Sequence, residues 1–448
     1  MKLKKSILLP VIFLLLISLA ACGGQAPTQQ VSRAPTITTL EATADQLEIS
    51  PSQEGYDLGL TYQQADGNRL VSGQGQILDA DPIIIELGGE IQWLVGLRYG
   101  SGSLWTAVLA DGTIESYTVQ DGEVKNYDIG RGALPPSMPP LILAQEDELY
   151  LNPPSAIETS DLTHSAFFNP EMGRELFITN EGDLVLWVHG NEIGRLEVNA
   201  LPDARLIVDE KGRLLFLSDP TTRYDHGVLG DNLEAASFTL VETNPGLKVI
   251  NRIEIPAPAV VEGIAPIWVD LNGDGEREIL VTVSDNDIGA RLILYNEAGQ
   301  ILAEGPAAGQ AYRWRHQLAI APLGPEGQML IVDVLRPHLD ATLEFFSWEG
   351  DRLVLQAELP GFSSHRIGSR NLDMALVGDL DGDGSLEVVV PGLGQETLHG
   401  IGYLAGKAEI LWSISLDGRL TSNLAGVKLA DGSLVLGAGV GESLFVWE

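Results

Sequence analysis

The sequence predicts an all-β protein built from repeated four-stranded units. Helical periodicity is scarce along its 448 residues, whereas short runs of Val, Ile, Leu and Trp alternate with Gly, Asp and Asn. Tight turns such as LADGTI from position 109 and LADGSL from position 429 lie between apolar runs and favour β-hairpins. Similar strand–turn–strand openings recur 51 to 65 residues apart, at positions 82, 139, 204, 265, 318, 374 and 425.

The seven recurring units predict a seven-bladed β-propeller, because each unit is long enough for four strands and radial repetition of such sheets makes this fold. The last unit ends at Glu448 and is short of a full blade. Residues 56–80 offer spare strand material, so we expect N-terminal strands to complete the C-terminal blade and close the ring. A mixed sandwich or two separate β-domains is the alternative. The propeller domain is predicted over 56–448.

The N-terminus predicts export. Three lysines among the first five residues precede an apolar run over 7–21, which is short for a membrane span and typical of a signal peptide. The sequence LAAC at its end resembles the lipobox of bacterial lipoproteins, with Cys22 as the point of lipid attachment. We therefore expect a signal peptide over 1–21 and a lipid-anchored protein outside the cell membrane. A plain signal peptide or a retained anchor is the alternative.

The residues after Cys22 predict a flexible linker. Gly, Pro, Gln, Thr and Ser dominate the stretch up to residue 55, and apolar periodicity is missing. Cys22 is the single cysteine, so the folded part must be held by its core or by metals rather than by disulfides. The formal net charge of −35 argues against nucleic acid and against adsorption to an anionic membrane surface.

Two acidic loops share one spacing, DLNGDGEREI over 270–279 and DLDGDGSLEV over 379–388. Alternating short oxygen-bearing side chains and a turn glycine wrap ligands around one hard cation, and calcium suits such a cage. Carboxylates packed this closely repel one another without a cation, whereas the alternative is a pair of unliganded turns. The candidate ligands are Asp270, Asn272, Asp274, Glu276 and Glu278 in the first loop, and Asp379, Asp381, Asp383, Ser385 and Glu387 in the second.

The loops do not match an EF-hand, because Val281 and Val390 stand where its last acidic ligand would be. They resemble the calcium loops of FG-GAP and VCBS-type repeats in integrin-like β-propellers. That resemblance implies two Ca²⁺ sites, each between the first two strands of a blade. The corresponding loop of the fifth unit has Pro322 and Gly324 in place of the first two ligands, so we expect no metal there. The expected role of calcium is structural.

A group of basic residues precedes the fifth and sixth units and is expected near one mouth of the central channel, opposite the first hairpins. It is a candidate site for a carboxylate or a sugar acid; arginines bonded to loop carbonyls between blades are the favoured alternative. The stretch GKAEILWSISLDG over 406–418 is weakly similar to quinoprotein-type propeller repeats, but core packing explains its tryptophan equally well. The candidate ligand-binding residues are Arg313, Arg315, His316, His365, Arg366 and Arg370.

These observations favour a non-enzymatic binding or interaction module at the cell surface, whose ring face binds a protein, a glycan or a small anion. The sequence contains no HExxH, GxSxG, Walker or Cys/His zinc motif. The alternatives are an enzyme acting on polysaccharides, either a lyase or a hydrolase, and a scaffold for envelope assembly.

Overall fold

The computed structural model confirms the all-β class. In the residues that the structure describes, the regular elements are thirty-three β-strands and one short 3-10 helix, Pro325–Gly327. Within the described part of the chain, no helix is long and apolar enough to cross a membrane. The predicted signal peptide, Cys22 and the linker lie outside the described residues. The structure describes residues 57–79, 81–145, 148–152, 158–168 and 174–448.

Three strands precede the repeated sheets. They are β1 (Asp57–Leu60), β2 (Leu70–Gln74) and β3 (Ile83–Glu86). The first four groups of consecutive strands then follow. They are β4 (Ile91–Tyr99), β5 (Gly102–Leu109), β6 (Ile114–Gln120) and β7 (Glu123–Asn126); β8 (Leu141–Gln145) and β9 (Glu148–Leu151); β10 (Ala166–Phe168), β11 (Arg174–Ile178), β12 (Asp183–Val188) and β13 (Asn191–Glu197); β14 (Ile207–Val208), β15 (Leu214–Thr221), β16 (Glu234–Glu242) and β17 (Lys248–Glu254).

A two-residue strand, β18 (Val260–Val261), bridges the fourth and fifth groups by pairing with a strand of each. The remaining four groups are β19 (Ile267–Val269), β20 (Glu278–Ser284), β21 (Arg291–Asn296) and β22 (Ile301–Glu304); β23 (Arg315–Ala321), β24 (Leu330–Leu335), β25 (Thr342–Glu349) and β26 (Arg352–Pro360); β27 (Leu376–Asp379), β28 (Glu387–Pro391), β29 (Thr397–Leu404) and β30 (Lys407–Ser415); β31 (Leu420–Lys428), β32 (Leu434–Val440) and β33 (Ser443–Trp447).

Neighbouring strands within each group pair in antiparallel fashion, which gives eight groups. The unit predicted to open at position 139 contains two of them, one with β8 and β9 and one with β10 to β13. The sequence pattern merged these groups because β8, β9 and β10 are only three to five residues long. The predicted count of seven blades is therefore not confirmed by the pairing.

The N-terminal strands join sheets that are distant in sequence. β1 pairs with β8, and β2 runs parallel to β27. An N-terminal strand does pair with the last strand, but it is β3, with Ile85 opposite Leu444. We expected residues 56–80 in that place, but the two strands described within them, β1 and β2, pair with β8 and β27. The apolar run of β3 suits it to this position, because Ile85 is buried in a core cluster shared with β33.

The segment from Tyr62 to Arg69, hereafter the inner segment, bonds to the first strand of five consecutive groups. First strands that share one central segment must face a common axis, which is the arrangement expected of radially repeated sheets. The bonds join Ala65 to Val208, Asp66 to Trp268, Asn68 to Ile320, Arg69 to Val377, and Gln63 to Leu424 and Gly426.

Burial falls from the inner to the outer strand of a group. Every residue of β20, β23, β28 and β32 is buried, whereas all four residues of β7 are exposed. Apolar side chains of adjacent groups pack face to face between these inner strands, which explains why their sequences are continuous apolar runs rather than alternating ones.

Candidate functional site

The loop between β27 and β28 brings three carboxylates together. Asp379, Asp381 and Glu387 each place one oxygen within 4.8 Å of the others. Asp379 is 1% exposed and Glu387 is fully buried. Oδ1 of Asp379 and Oε2 of Glu387 have no hydrogen-bond partner. Buried carboxylate oxygens without a donor are unfavourable, so this arrangement fits a hard cation.

The other oxygens of these two side chains are fixed by N–H donors. Gly384 N–H donates to Asp379 Oδ2 (3.1 Å), and Leu380 N–H donates to Glu387 Oε1 (2.9 Å). The indole N–H of Trp412 also donates to Glu387 Oε1 (3.1 Å). The carboxylates are thereby held in place, with the unpartnered oxygen of each left available as a ligand.

The raised pKa values of Glu387 and Asp379 also fit a cation site. Burial, together with the charges of Asp381 and Asp379, raises the pKa of Glu387 to about 8. Burial also raises the pKa of Asp379 above its usual value. A divalent cation would reverse both shifts by stabilising the ionised forms.

The remaining predicted ligands of this loop lie at its rim. Asp381 Oδ1 accepts the N–H of Asp383 (3.2 Å), and Asp383 Oδ1 accepts the N–H of Ser385 (2.7 Å). Asp383 and Ser385 are exposed. Their hydrogen bonds shape the turn next to the three carboxylates.

The loop between β19 and β20 has the same backbone design. Gly275 N–H donates to Asp270 Oδ2 (2.9 Å), and Leu271 N–H donates to Glu278 Oε2 (2.8 Å). Glu276 lies at the exposed tip and donates its N–H to Asp274 Oδ1 (2.8 Å). Two loops of identical spacing thus adopt one hydrogen-bonding pattern, in the strand–loop–strand position that the sequence predicted.

The two loops differ at their third position. The Asn272 amide donates to Asp274 Oδ2 (3.0 Å) and, at 3.4 Å, to Glu278 Oε1. The Asn272 amide thus gives hydrogen bonds to carboxylate oxygens of its own loop. Asp381, which occupies the same position in the second loop, has no N–H group and cannot give them. Burial, assisted by the neighbouring acids, raises the pKa of Glu278 to about 7. Among the described residues, only the second loop brings three carboxylates into the ligating arrangement.

Two members of the predicted basic group, His316 and His365, lie close together at the end of the inner strands opposite the acidic loops. The rings of His316 and His365 lie 6.1 Å apart, and both contact Trp314. His338, which was not among the predicted residues, shares a 2.8 Å hydrogen bond with His365. Its position could not be read from sequence, because it lies in the β24–β25 loop rather than before a first strand.

The arginines of the group each have a partner. Arg315 is buried and pairs with Asp333 (2.9 Å) and Glu344, and Arg370 pairs with Asp203 (2.9 Å) and Asp231. Two others are more accessible. Arg366 lies 3.5 Å from Glu90, and Arg313 donates to the carbonyl of Tyr312 (2.9 Å). The structure therefore does not gather the six residues into one free basic patch.

A carboxylate–imidazole pair lies beside this cluster. The fully buried side chain of Glu262 accepts from His226 Nδ1 at 2.5 Å and from the hydroxyl of Ser284. Glu234 is also buried, its Oε2 has no partner, and burial next to Glu262 raises its pKa well above the usual value. A buried acid next to a carboxylate-oriented imidazole is an arrangement suited to proton transfer.

Comparison with known proteins supports the fold. Neither a protein-family model nor a curated relative matches the sequence. Among solved structures, the quinohemoprotein alcohol dehydrogenase ADHIIG of Pseudomonas putida HK5 is similar at a TM-score of 0.51, with 11% identity over 86% of this chain and 79% of that chain.

Two β-propeller domains are also similar. The β-propeller domain of Cps50 (Swd1) from Myceliophteria thermophila has a TM-score of 0.43 and 10% identity, over 81% of this chain and 97% of that chain. The WD40 domain of Doa1 has a TM-score of 0.36 and 12% identity, over 82% of this chain and 95% of that chain. The repeated sheets and the likeness to the quinohemoprotein place the chain among β-propeller-like proteins. Identities this low show the fold alone.

Proposed function

We propose that the protein is an exported, lipid-anchored β-propeller that binds calcium and acts as a non-enzymatic binding module at the cell surface. The calcium part is carried by one observation, the two buried and unpartnered carboxylate oxygens of Asp379 and Glu387. The first acidic loop, over 270–279, is proposed as a further calcium site, because a rotation of the Asn272 amide would present its oxygen to the centre of that loop.

The groups are proposed to form a closed ring. Five first strands bond to the inner segment, and β3 completes the C-terminal sheet, which supports closure between the two ends of the chain. Seven of the eight groups have four strands once β3 is included. These would be the seven full blades, and the three-stranded group of β1, β8 and β9 would be an additional, incomplete one.

Calcium is proposed to act as a structural ligand. Each loop joins an inner strand pair, and Glu278 and Glu387 each begin the fully buried second strand of that pair. A bound ion would fix the loop to this strand and would add stability through its affinity for the folded state, about 2.7 kcal/mol at a hundredfold excess over Kd.

The test is calorimetric titration of the full chain in detergent with Ca²⁺, with melting in calcium and in chelator. We expect binding and a higher Tm, and Asp379→Asn/Glu387→Gln should lose the site of the 379–388 loop together with its share of the rise in Tm. Asp111→Asn is the matched control, because Asp111 lies in an ordinary exposed hairpin turn. Absence of binding at millimolar calcium would refute the metal assignment. Asp270→Asn then tells whether the first loop contributes a second site.

Lipid anchoring is proposed on the LAAC sequence and is tested separately. Metabolic labelling with a radioactive fatty acid should mark the wild-type chain and not Cys22→Ser, and the variant should leave the membrane fraction. Labelling that survives in Cys22→Ser would contradict the anchor. The ligand-binding face is proposed to be the loop surface around Trp314, for a protein, a glycan or a small anion.

A polysaccharide-acting enzyme is the second candidate, favoured by Glu262, His226 and Glu234. Such an enzyme would use His226 as base and the neutral acid of Glu234 as proton donor. Release of oligosaccharides from a panel of acidic and neutral polysaccharides should then be lost in Glu262→Gln and kept in Glu358→Gln, a change on an exposed outer strand. Equal products from both variants would assign the release to a contaminant.

A further inference from the structure

The group of β1, β8 and β9 has one strand fewer than the others. Each of the other groups has four strands once β3 is counted, whereas this one ends at β9. Within the described residues, β9 pairs with β8 alone, so its outer edge has no strand beside it. An unpaired strand edge is a template for a further strand, because its outward backbone groups can continue the ladder.

The register shows which backbone groups face that edge. Asn152 N–H donates to the carbonyl of Leu141 on β8 (2.8 Å), so Asn152 and, two residues earlier, Tyr150 direct their backbone groups towards β8. Those of Leu149 and Leu151 therefore point the other way. The carbonyl of Leu151 accepts from the Arg131 guanidinium (3.2 Å), which leaves the two amide N–H groups and the carbonyl of Leu149 for an added strand.

The two faces of β9 differ in polarity. Leu149 and Leu151 pack in an apolar cluster with residues of the first group, such as Trp93. Glu148 and Tyr150 lie on the other face and are exposed. Side chains directly opposite on neighbouring strands share a face, so an added strand should alternate apolar and polar residues.

The chain that follows β9 does not fit this position. Its sequence is PPSAI over 153–157, and two consecutive prolines lack the amide hydrogens that a ladder strand needs. Thr159, directly beyond, already pairs with Thr179 of the next group. The missing strand must therefore come from elsewhere.

The chain that precedes β1 does fit. The linker lacks apolar periodicity over its length, but QLEIS over 46–50 alternates, with Leu47 and Ile49 as its apolar residues and Pro51 directly after it. These five residues match the length of β8 and β9, and the proline gives the strand a natural end.

Direction and reach agree with this assignment. β1 begins at Asp57, opposite Ala144, and so starts at the end where β8 turns into β9. A strand antiparallel to β9 would finish at that same end. Residues 51–56 would then cross three strand spacings, about 14 Å in total, and six extended residues span about 20 Å.

We propose that residues 46–50 form the fourth strand of this group, antiparallel to β9, with Ile49 opposite Leu149 and Leu47 opposite Leu151. This register places both apolar residues on the apolar face and Glu48 opposite Tyr150 on the exposed face. The segment lies outside the described residues, and the proposal goes beyond the proposed binding function. It limits the tether behind Cys22 to residues 23–45.

Hydrogen exchange of the full chain in detergent, resolved to single amides, tests the pairing. The amides of Leu149, Leu151 and residues 46–50 should exchange about a hundredfold or more slowly than in unstructured peptides. Ile49→Pro removes a ladder donor and should abolish protection on both strands. Thr39→Pro, a change in the same linker outside the proposed strand, should preserve it. Unprotected exchange over 46–50 in the wild type, or protection that survives Ile49→Pro, would overturn the proposal.

A disulfide tests the register independently. Residues directly opposite have Cβ atoms about 4.5–5.5 Å apart, close to the separation that a disulfide needs. In the Cys22→Ser chain, which has no other thiol, Glu48→Cys/Tyr150→Cys should therefore cross-link under mild oxidation. The control is Glu48→Cys/Val124→Cys, because Val124 is similarly exposed but lies on β7, the outermost strand of a complete group. It should cross-link at least tenfold more slowly, and equal rates would overturn the register.

Discussion

Replacement of Asp373 by asparagine should cost more stability than any change of a surface charge in this protein. The substitution keeps the size of the side chain and removes its charge. Arg69 and Arg205 then lose their shared carboxylate while both remain buried. An asparagine oxygen can accept at most part of the three hydrogen bonds, and its amide group would face a guanidinium.

The magnitude follows from burial and geometry. The three N–H···O distances are 2.8, 2.9 and 2.6 Å, and Asp373 is fully buried. The two arginines lower the pKa of Asp373 against the opposing effect of burial, so its ionised form is the stable one. Removing one partner of a buried ion pair costs about 3–5 kcal/mol, because the other charge is left uncompensated. We expect Asp373→Asn to fall in this range.

The matched control is Asp57→Asn. Asp57 pairs with Arg98 at 3.2 Å, but both side chains are more than 40% exposed. Such a pair contributes about 0–1 kcal/mol. Urea unfolding should be followed by tryptophan fluorescence and by circular dichroism. If the two probes give the same transition, the unfolding free energy can be obtained from a two-state analysis. A loss in Asp373→Asn as small as that in the control would refute the claim that Asp373 compensates the two buried guanidinium charges.

Two further predictions concern other buried features. Burial lowers the pKa of His164 to about 4, so the unfolded chain binds more protons below pH 6.5, and stability falls as the pH falls from 6.5 towards 4. His164→Gln should therefore reduce the loss of unfolding free energy between pH 7 and pH 5 by roughly 2 kcal/mol. A variant that loses as much unfolding free energy as the wild type over this range would contradict the burial argument. Gly437→Ala would place a Cβ 2.3 Å from the buried Trp105 ring and should lower the free energy of urea unfolding by about 1–3 kcal/mol. The control is Gly132→Ala, whose Cβ meets open space and should leave stability nearly unchanged. Equal effects of the two changes would show that the sheet accommodates the methyl group at position 437.

Local spacing explains what the sequence predicted well. The hairpin turns and the two acidic loops depend on residues within ten positions of one another, so Asp270 and Glu278, or Asp379 and Glu387, can be placed from the pattern alone. The loops indeed adopt one hydrogen-bonding scheme between first and second strands. Their difference in side-chain satisfaction follows from Asn272, a single amide whose direction no spacing rule specifies.

Long-range pairing explains what the sequence did not predict. Arg370 forms ion pairs with Asp203 and Asp231, which are 167 and 139 residues away in the sequence. Its positive charge is therefore matched by acids that the local sequence does not show. The strand that completes the last sheet was likewise predicted within residues 56–80, whereas residues 83–86 occupy that place. Residues 57–60, 70–74 and 83–86 all carry strand-like sequences. Only the partners available around the axis distinguish them.

The inner segment links the groups, and the two proposed sites lie at opposite ends of the inner strands. Its hydrogen bonds reach the first strands of five consecutive groups. The acidic loops lie at one end of the inner strands, where a cation would serve as a brace. At the other end, around Trp314, aromatic rings and histidines lie together with the Glu262–His226 pair, and this is the face on which we propose that a ligand binds.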